Sequence, residues 1–369
     1  MNKKSIIPIV LTIDKLFIEY ACVTIYSLVQ NCTLDNDYTI YVFHNGLLEI
    51  MKNRLYSIIK NKNNIHLEFK DVTQFIEHHK LKSNLKHVTN ATFYRYLIPI
   101  ILNQYEKILY LDTDIVVITD IANLFNINID NYYFGACHDL IAIQHIMLNT
   151  IPIIYFRDKL KIINPINNYF NAGIMLFNTK KLNEDKIPEL MFKLAENNNY
   201  LSSGQDPMNA AAKESIKILP QKWNLMTYEV AKNSILSLPK KILEEYTKSK
   251  IEPCIIHYAA HIKPWNAPDK SELSEYWWKY ANEALSPEEM LNNFPEGFFK
   301  AIKLGLTHYH FSIEQFLQIK QEYKTKIKSL KWKKLFSYGK RKFTIKQELH
   351  KLKSIYNDIN YIIGIMEVM

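Results

Sequence analysis

Glycine is scarce in this chain, with eight residues among 369, which rules out any glycine-rich repeat. Cysteine is scarcer still. Cys22, Cys32, Cys137 and Cys254 are scattered without C-x-x-C spacing, a pattern of reduced packing thiols rather than of disulfides or a zinc site. Long apolar runs are also missing. The nearest, "LIAIQHIMLNTIPIIYF", carries Gln144, His145, Asn149 and Pro152, so no spanning helix is expected. The opening "MNKKSIIPIVLTIDK" lacks the pattern of a secretory signal, because its apolar run is cut at Pro8 and ends by Asp14. A cytoplasmic location is expected.

What is present describes an ordinary globular protein: 48% hydrophobic and 22% charged residues, on a chain long enough to bury a large core. The net charge of +9 is concentrated rather than spread. Between Lys324 and Lys353 there are twelve Lys or Arg against the single Glu348. The charge therefore belongs to a tail, and the remainder is nearly neutral.

Short β-branched runs recur as "IIPIVL", "YTIYVF", "IHLEF", "KILYLD", "AGIMLF", "IKIL" and "PCIIHY". Between them lie segments such as "YACVTIYSLVQN" and "EIMKNRLYSIIK", whose apolar residues return at three and four. This alternation predicts an α/β fold, a mostly parallel sheet flanked by helices, over about the first 260 residues. Ligands in such a sheet gather beyond the carboxyl ends of the strands. After "KPW" at 263–265 the composition turns helical. In the last part, Ile345, Leu349, Leu352, Tyr356, Ile359 and Ile363 form a heptad seam that either pairs with a twin or docks on its own domain.

Within "YLDTDIVV" two carboxylates, Asp112 and Asp114, interrupt an apolar run, and a buried unpaired carboxylate is costly. Alternation along an extended strand would send both to one side, at the ligand-binding edge. Far downstream, "IIHYAAHIKPW" ends a strand in His257, followed by Lys263. Two carboxylates and an imidazole suit Mn²⁺, and a nearby lysine suits a phosphate. "NAGIMLFN" puts a small Ala-Gly pair just before a buried strand, leaving room for a ligand beside the backbone. "GQDPMNAA" offers Gln205, Asp206 and Asn209 at a helix start, where a bland N-terminal cap would look the same.

In this order, "IPIVLTIDKLFIEYACVTIYSL", "ATFYRYLIPIIL", "YLDTDIVV", "FGACHDL", "NAGIMLFN", "GQDPMNAA" and "HYAAHIKPW" resemble the retaining family 8 glycosyltransferases of the GT-A fold, particularly bacterial lipopolysaccharide galactosyl- and glucosyltransferases. The resemblance implies a catalytic domain over residues 1–268 and a helical, basic appendage over 269–369. It further implies that Asp112, Asp114 and His257 hold Mn²⁺, or Mg²⁺, on the diphosphate of a UDP-hexose, with Lys263 on the same phosphate. Thr12, Asp14 and Phe17 match positions around the uridine, Phe17 standing where Tyr is common. Thr113 lies between the two carboxylates in the nucleotide-sugar motif. Arg95, Asp139, Asn171, Ala172, Gly173, Gln205 and Asp206 match positions around the donor sugar, with Gln205, Asp206 and Asp139 as the catalytic candidates. Two positions depart from the pattern: Gly204 replaces an acidic residue, and Ala260, followed by His261, replaces a glycine.

The apolar segment between Asp139 and Tyr169 is expected to build part of an acceptor wall for a glycan or glycolipid. In "KTKIKSLKWKKLFSYGKRKF" cations alternate with Leu330, Trp332, Leu335, Phe336, Tyr338 and Phe343, which suits an anionic membrane surface at the inner face of the cell membrane better than nucleic acid. Two other readings compete. A haloacid-dehalogenase-like phosphatase would use an apolar strand followed by D-x-D, but normally on its first strand. A nucleotide-sugar-binding module without turnover would keep the same residues.

Overall fold

The computed structural model describes residues 5–81, 90–196, 200–227, 235–259, 261–309 and 311–367. They form two compact units, Met1–Ala259 and Ala260–Met369.

The first unit contains ten strands: β1 Ser5–Thr12, β2 Asn36–His44, β3 Ile65–Asp71, β4 Lys107–Leu111, β5 Ile115–Val117, β6 Phe134–His138, β7 Phe170–Asn178, β8 Ile216–Ile218, β9 Leu225–Met226 and β10 Ile255–His257. Seven make one sheet in the order β3-β2-β1-β4-β7-β6-β8, and β5, β10 and β9 make a second. In the large sheet β1 pairs parallel with β2 and β4, β2 with β3, and β6 with β8, whereas β7 runs antiparallel between β4 and β6. The expected mostly parallel sheet is therefore present, with one reversed strand. Strands β1, β2 and β7 are buried on both faces over most of their length and read in sequence as largely apolar runs; edge strand β3 begins with alternating buried and exposed residues. Helices Ile18–Asn31 and Glu49–Ile59 fall on the stretches with helical spacing. The four cysteines are free thiols.

The second unit is helical. Ser274–Ala284, Pro287–Asn293 and Pro295–Lys303 pack around Trp277, Trp278, Phe294 and Phe298. Gly297 permits this packing. A Cβ there would stand 2.0 Å from the Trp265 carbonyl oxygen. The heptad segment lies in helix Gly339–Met366; of its seam Ile345, Leu349, Ile359 and Ile363 are buried in the clusters shared with helix Ile313–Leu335, Leu352 and Tyr356 are partly buried there, and Ile355, outside the seam, is buried with them. The face that a twin would have used is covered within the chain. No helix among the described residues is long and apolar enough to cross a membrane.

Candidate active site

The two carboxylates converge by a different route from strand alternation. β4 stops at Leu111, and residues 112–114 form a bend before β5 begins in the second sheet. Three contacts fix the bend: the Asp112 N–H donates to the Gly173 carbonyl at 2.7 Å, the Thr24 hydroxyl contacts the Thr113 and Ile115 carbonyls at 2.8 and 3.0 Å, and the Tyr258 N–H donates to the Asp114 carbonyl at 2.9 Å. The antiparallel pairing of β5 with β10 sets His257 opposite Ile115, one residue beyond Asp114. Ligand atoms of Asp112, Asp114 and His257 consequently all lie within 4.8 Å of one another.

The imidazole is aimed from behind. Asn224, fully buried, accepts the His257 Nδ1 proton at 2.9 Å, which leaves Nε2 facing the Asp114 carboxylate at 3.2 Å. Asn224 in turn donates to Asn171 Oδ1 at 2.9 Å, and that same oxygen accepts the Gly173 N–H at 3.0 Å. Burial raises the Asp112 carboxyl above the usual range, the neighbouring Arg95 guanidinium opposing and Asp114 reinforcing the shift. Two clustered carboxylates with an oriented imidazole nitrogen form a donor set that fits a divalent cation of the Mn²⁺ or Mg²⁺ type.

Arg95 belongs to a 3₁₀ segment, Asn90–Leu97, and is buried. Its guanidinium donates to the Ala172 carbonyl and to the Thr92 carbonyl and hydroxyl, lies 3.3 Å from Asp112 Oδ1, and sits 4.7 Å over the Tyr110 ring. Its ion pair with Asp112 is therefore largely buried. Tyr110 donates to the same Asp112 oxygen, and Thr12 shares a hydrogen bond of 3.0 Å with the Tyr110 hydroxyl. Asp14 accepts the Leu16 N–H at 2.8 Å, and the Phe17 ring lies 5.2 Å from that of Tyr20.

A second cluster adjoins through Asn171. Asp139 caps helix Leu140–Met147 through Oδ1, which accepts the Ala142 N–H at 2.8 Å, and uses Oδ2 to accept from Gln205 Nε2 at 2.8 Å and Asn171 Nδ2 at 3.2 Å. Asp139 thus caps a helix with one oxygen and contacts two other candidates with the other. Gln205 Oε1 accepts the Ala172 N–H at 2.9 Å, while its Nε2 also reaches the Tyr169 hydroxyl at 3.0 Å. Asp206 opens helix Asp206–Ala212 and is almost fully buried. Its oxygens accept the Tyr169 hydroxyl at 2.5 Å, the Tyr155 hydroxyl at 2.6 Å and the Ser202 N–H at 2.8 Å, and burial still raises its carboxyl above the usual range. Asn209 clamps Phe170 at its N–H and carbonyl, at 2.9 and 3.0 Å.

The Ala-Gly pair is inside β7 rather than before it, and the space beside Gly173 is taken by the protein itself. A Cβ on Gly173 would stand 2.4 Å from His257 Cε1 and 2.9 Å from Asp112 Oδ2. Gly204 is similarly filled: a Cβ would stand 2.1 Å from Thr92 Oγ1. Lys263 and His261 belong to the second unit, where Lys263 Nζ lies 5.6 Å over the Trp265 ring. Ala260 lies outside the described residues. Sequence reasoning missed Asn224, Tyr155 and Tyr169, which stand in none of the family motifs, and also Tyr110, Thr24 and Thr92, which stand inside them but as ordinary hydroxyl residues whose hydrogen-bond partners the motif does not reveal.

The expected acceptor-wall segment forms helix Leu140–Met147, a π-helical turn at Tyr155–Lys159 and a short helix Pro165–Asn168. Phe156, Leu160, Ile162 and Tyr169 pack as its core.

Comparison with known proteins bears on the family and the fold. General stress protein A of Bacillus subtilis (strain 168) is 26% identical over 288 residues, covering 76% of this chain and 94% of that protein. Glycosyltransferase GlyE of Streptococcus pneumoniae serotype 4 is 26% identical over 229 residues, covering 60% of this chain and 47% of GlyE, so the chain spans about half of that relative. The crystal structure of galactosyltransferase LgtC in complex with donor and acceptor sugar analogues superposes with a TM-score of 0.64 at 20% identity, covering 78% of this chain and 100% of LgtC. That likeness concerns the fold, which is GT-A. The model of glycosyl transferase family 8 matches residues 8–268, well over half of the chain and the whole stretch that carries the two clusters; the chain belongs to glycosyl transferase family 8.

Proposed function

We propose that the protein is a retaining, metal-dependent hexosyltransferase. It moves galactose or glucose from a UDP-sugar to a glycan or glycolipid in lipopolysaccharide or other cell-surface glycan synthesis, at the inner face of the cell membrane. The observation that carries the reading is the convergence of Asp112, Asp114 and His257, in a family 8 chain, with Asn224 orienting the imidazole. Mn²⁺ or Mg²⁺ bound by those three residues would offset charge developing on the departing diphosphate. Residues 1–268 form the catalytic domain, Thr12, Asp14 and Phe17 receive the uridine, and Lys263 adds a point charge at the phosphate.

Arg95 holds Asp112 in place through its 3.3 Å ion pair. The donor sugar lies against Asp139, Asn171, Ala172, Gly173 and Gln205, whose mutual hydrogen bonds fix them before it arrives. Because both Asp206 oxygens accept tyrosine protons, Asp206 acts as a support for this wall, and transfer proceeds without a covalent intermediate on it. The test incubates full-length protein with a panel of UDP-sugars, with Mn²⁺ or EDTA, with and without candidate acceptors. Metal-dependent UDP release from one sugar nucleotide, abolished in a folded Asp114→Ala variant, is expected. Full activity in that variant would overturn the metal-site assignment, and a glycosyl adduct on Asp206 in the mass spectrum would overturn the supporting role.

A further inference from the structure

One feature of the second unit is unused by sugar transfer. Helices Ile313–Leu335 and Gly339–Met366 form a hairpin with two apolar contacts along its length. One lies at the base, where Phe316, Ile319 and Tyr323 meet Ile355, Ile359 and Ile362; the other lies nearer the turn, where Ile327 and Leu330 meet Ile345 and Leu349. From Tyr323 to Leu335 the helix advances about 18 Å beyond the base, at 1.5 Å per residue. The turn is built rather than frayed. Ser337 is buried and donates to the Lys333 carbonyl at 2.6 Å, and Gly339 takes a left-handed φ of 54°.

Everything else at the tip faces outward. Trp332, Leu335, Phe336, Tyr338 and Phe343 are 66%, 69%, 74%, 83% and 63% exposed. Trp332 and Phe336 are stacked on each other, with ring centroids 6.4 Å apart. None of the five belongs to the hydrophobic contacts that close the hairpin. Around them, residues 331–343 contribute six Lys or Arg and no acidic residue. Exposed large apolar side chains clustered in this way mark an interaction surface.

We infer that this tip is a membrane wedge: its aromatic and leucine side chains enter the headgroup and upper acyl region of an anionic bilayer, while the surrounding cations meet lipid phosphates. Two features argue for a bilayer as occupant. The cations match an anionic surface, and Trp, Tyr, Phe and Leu beside Lys and Arg are the composition of interfacial anchors. The geometry differs from a helix lying flat on its apolar face, because that face is consumed by the hairpin seam. The inference rests on the membrane-face part of the proposed function and deepens it by placing the contact at the hairpin tip instead of along a helix face. It needs no sugar nucleotide, so vesicle binding and sugar transfer fail independently.

The molecule carries its own reporter. Of five tryptophans, Trp223, Trp265, Trp277 and Trp278 are buried and Trp332 alone is exposed, so an emission shift on binding reports the tip. Full-length protein is titrated with phosphatidylcholine vesicles, with and without phosphatidylglycerol, its emission followed and the bound fraction measured by vesicle co-sedimentation; the same co-sedimentation is run on a Trp332→Ser/Phe336→Ser variant, which lacks the reporter but keeps every charge and the whole seam. Expected are binding and a blue shift with the anionic vesicles only, and roughly a tenfold or greater loss of partitioning in the variant. Helical circular dichroism should be unchanged. The inference is overturned by absence of binding to anionic vesicles, by equal binding of the variant, or by tighter tip-dependent binding to a single-stranded oligonucleotide at the same ionic strength.

Discussion

Replacing Gly173 by alanine adds one methyl group at the most crowded point of the site. The added Cβ would lie 2.4 Å from His257 Cε1, 2.9 Å from Asp112 Oδ2 and 3.0 Å from Asn171 Oδ1. Ordinary contact begins near 3.4 Å, so the imidazole must retreat by about 1 Å or β7 must move. Retreat is restricted, since Asn224 holds one ring nitrogen at 2.9 Å and Asp114 faces the other at 3.2 Å. β7 is equally held, paired on both sides by β4 and β6. Overpacking of this kind costs about 1–3 kcal/mol of stability.

The functional loss should exceed the stability loss. A metal site tolerates ligand displacements of only about 0.2 Å, and disturbing even the supporting shell lowers metal affinity by about 10–100-fold. Gly173→Ala is therefore expected to fold, to melt a few degrees lower, and to bind Mn²⁺ at least about a hundredfold more weakly in calorimetric titration. Gly364→Ala is the control, because a Cβ there meets nothing within 4 Å. Wild-type Mn²⁺ affinity in Gly173→Ala would refute the idea that the glycine exists to let the imidazole approach β7.

Two other substitutions probe the neighbouring wall. Gly204→Asp restores the carboxylate that the family pattern often has, but its Cβ would strike Thr92 Oγ1 at 2.1 Å; it should destabilise the protein alone, whereas Thr92→Ala/Gly204→Asp should recover stability and shift the preferred UDP-sugar in a release assay. An unchanged melting temperature for Gly204→Asp alone would contradict the geometry. Tyr169→Phe removes a proton donor to Asp206 and an acceptor for Gln205, so it should cost about 1–3 kcal/mol and lower kcat while calorimetric UDP affinity stays at the wild-type value. A loss confined to UDP binding would place Tyr169 elsewhere in the mechanism.

The sheet was legible because burial on both faces leaves its signature in composition. β1, β2 and β7 had to be largely apolar stretches, and the helices between them had to repeat at three and four. The reversed direction of β7 was not legible. Parallel and antiparallel central strands carry the same residues, and only the connection decides between them. The second sheet was hidden for another reason. β5 and β10 have three residues each and β9 two, too short for a period, and their pairing joins segments about 140 residues apart.

The site divides along the same physical line. Asp112, Asp114 and His257 stood out because a charge or an imidazole at the end of an apolar strand requires a justification that local structure does not supply. Their supports did not stand out, since an asparagine, a threonine or a tyrosine is an ordinary residue whose value depends on where its hydrogen bond lands. Asn224 is the clearest instance: nothing in "QKWNLM" suggests that its amide joins His257 to Asn171, and through Asn171 to Asp139 and Gln205. That continuity means the proposed metal ligands and the proposed sugar wall share one hydrogen-bonded frame. Displacement at either end is then felt at the other through oriented amides, each of which has a fixed donor side and acceptor side and cannot rotate without breaking both of its contacts.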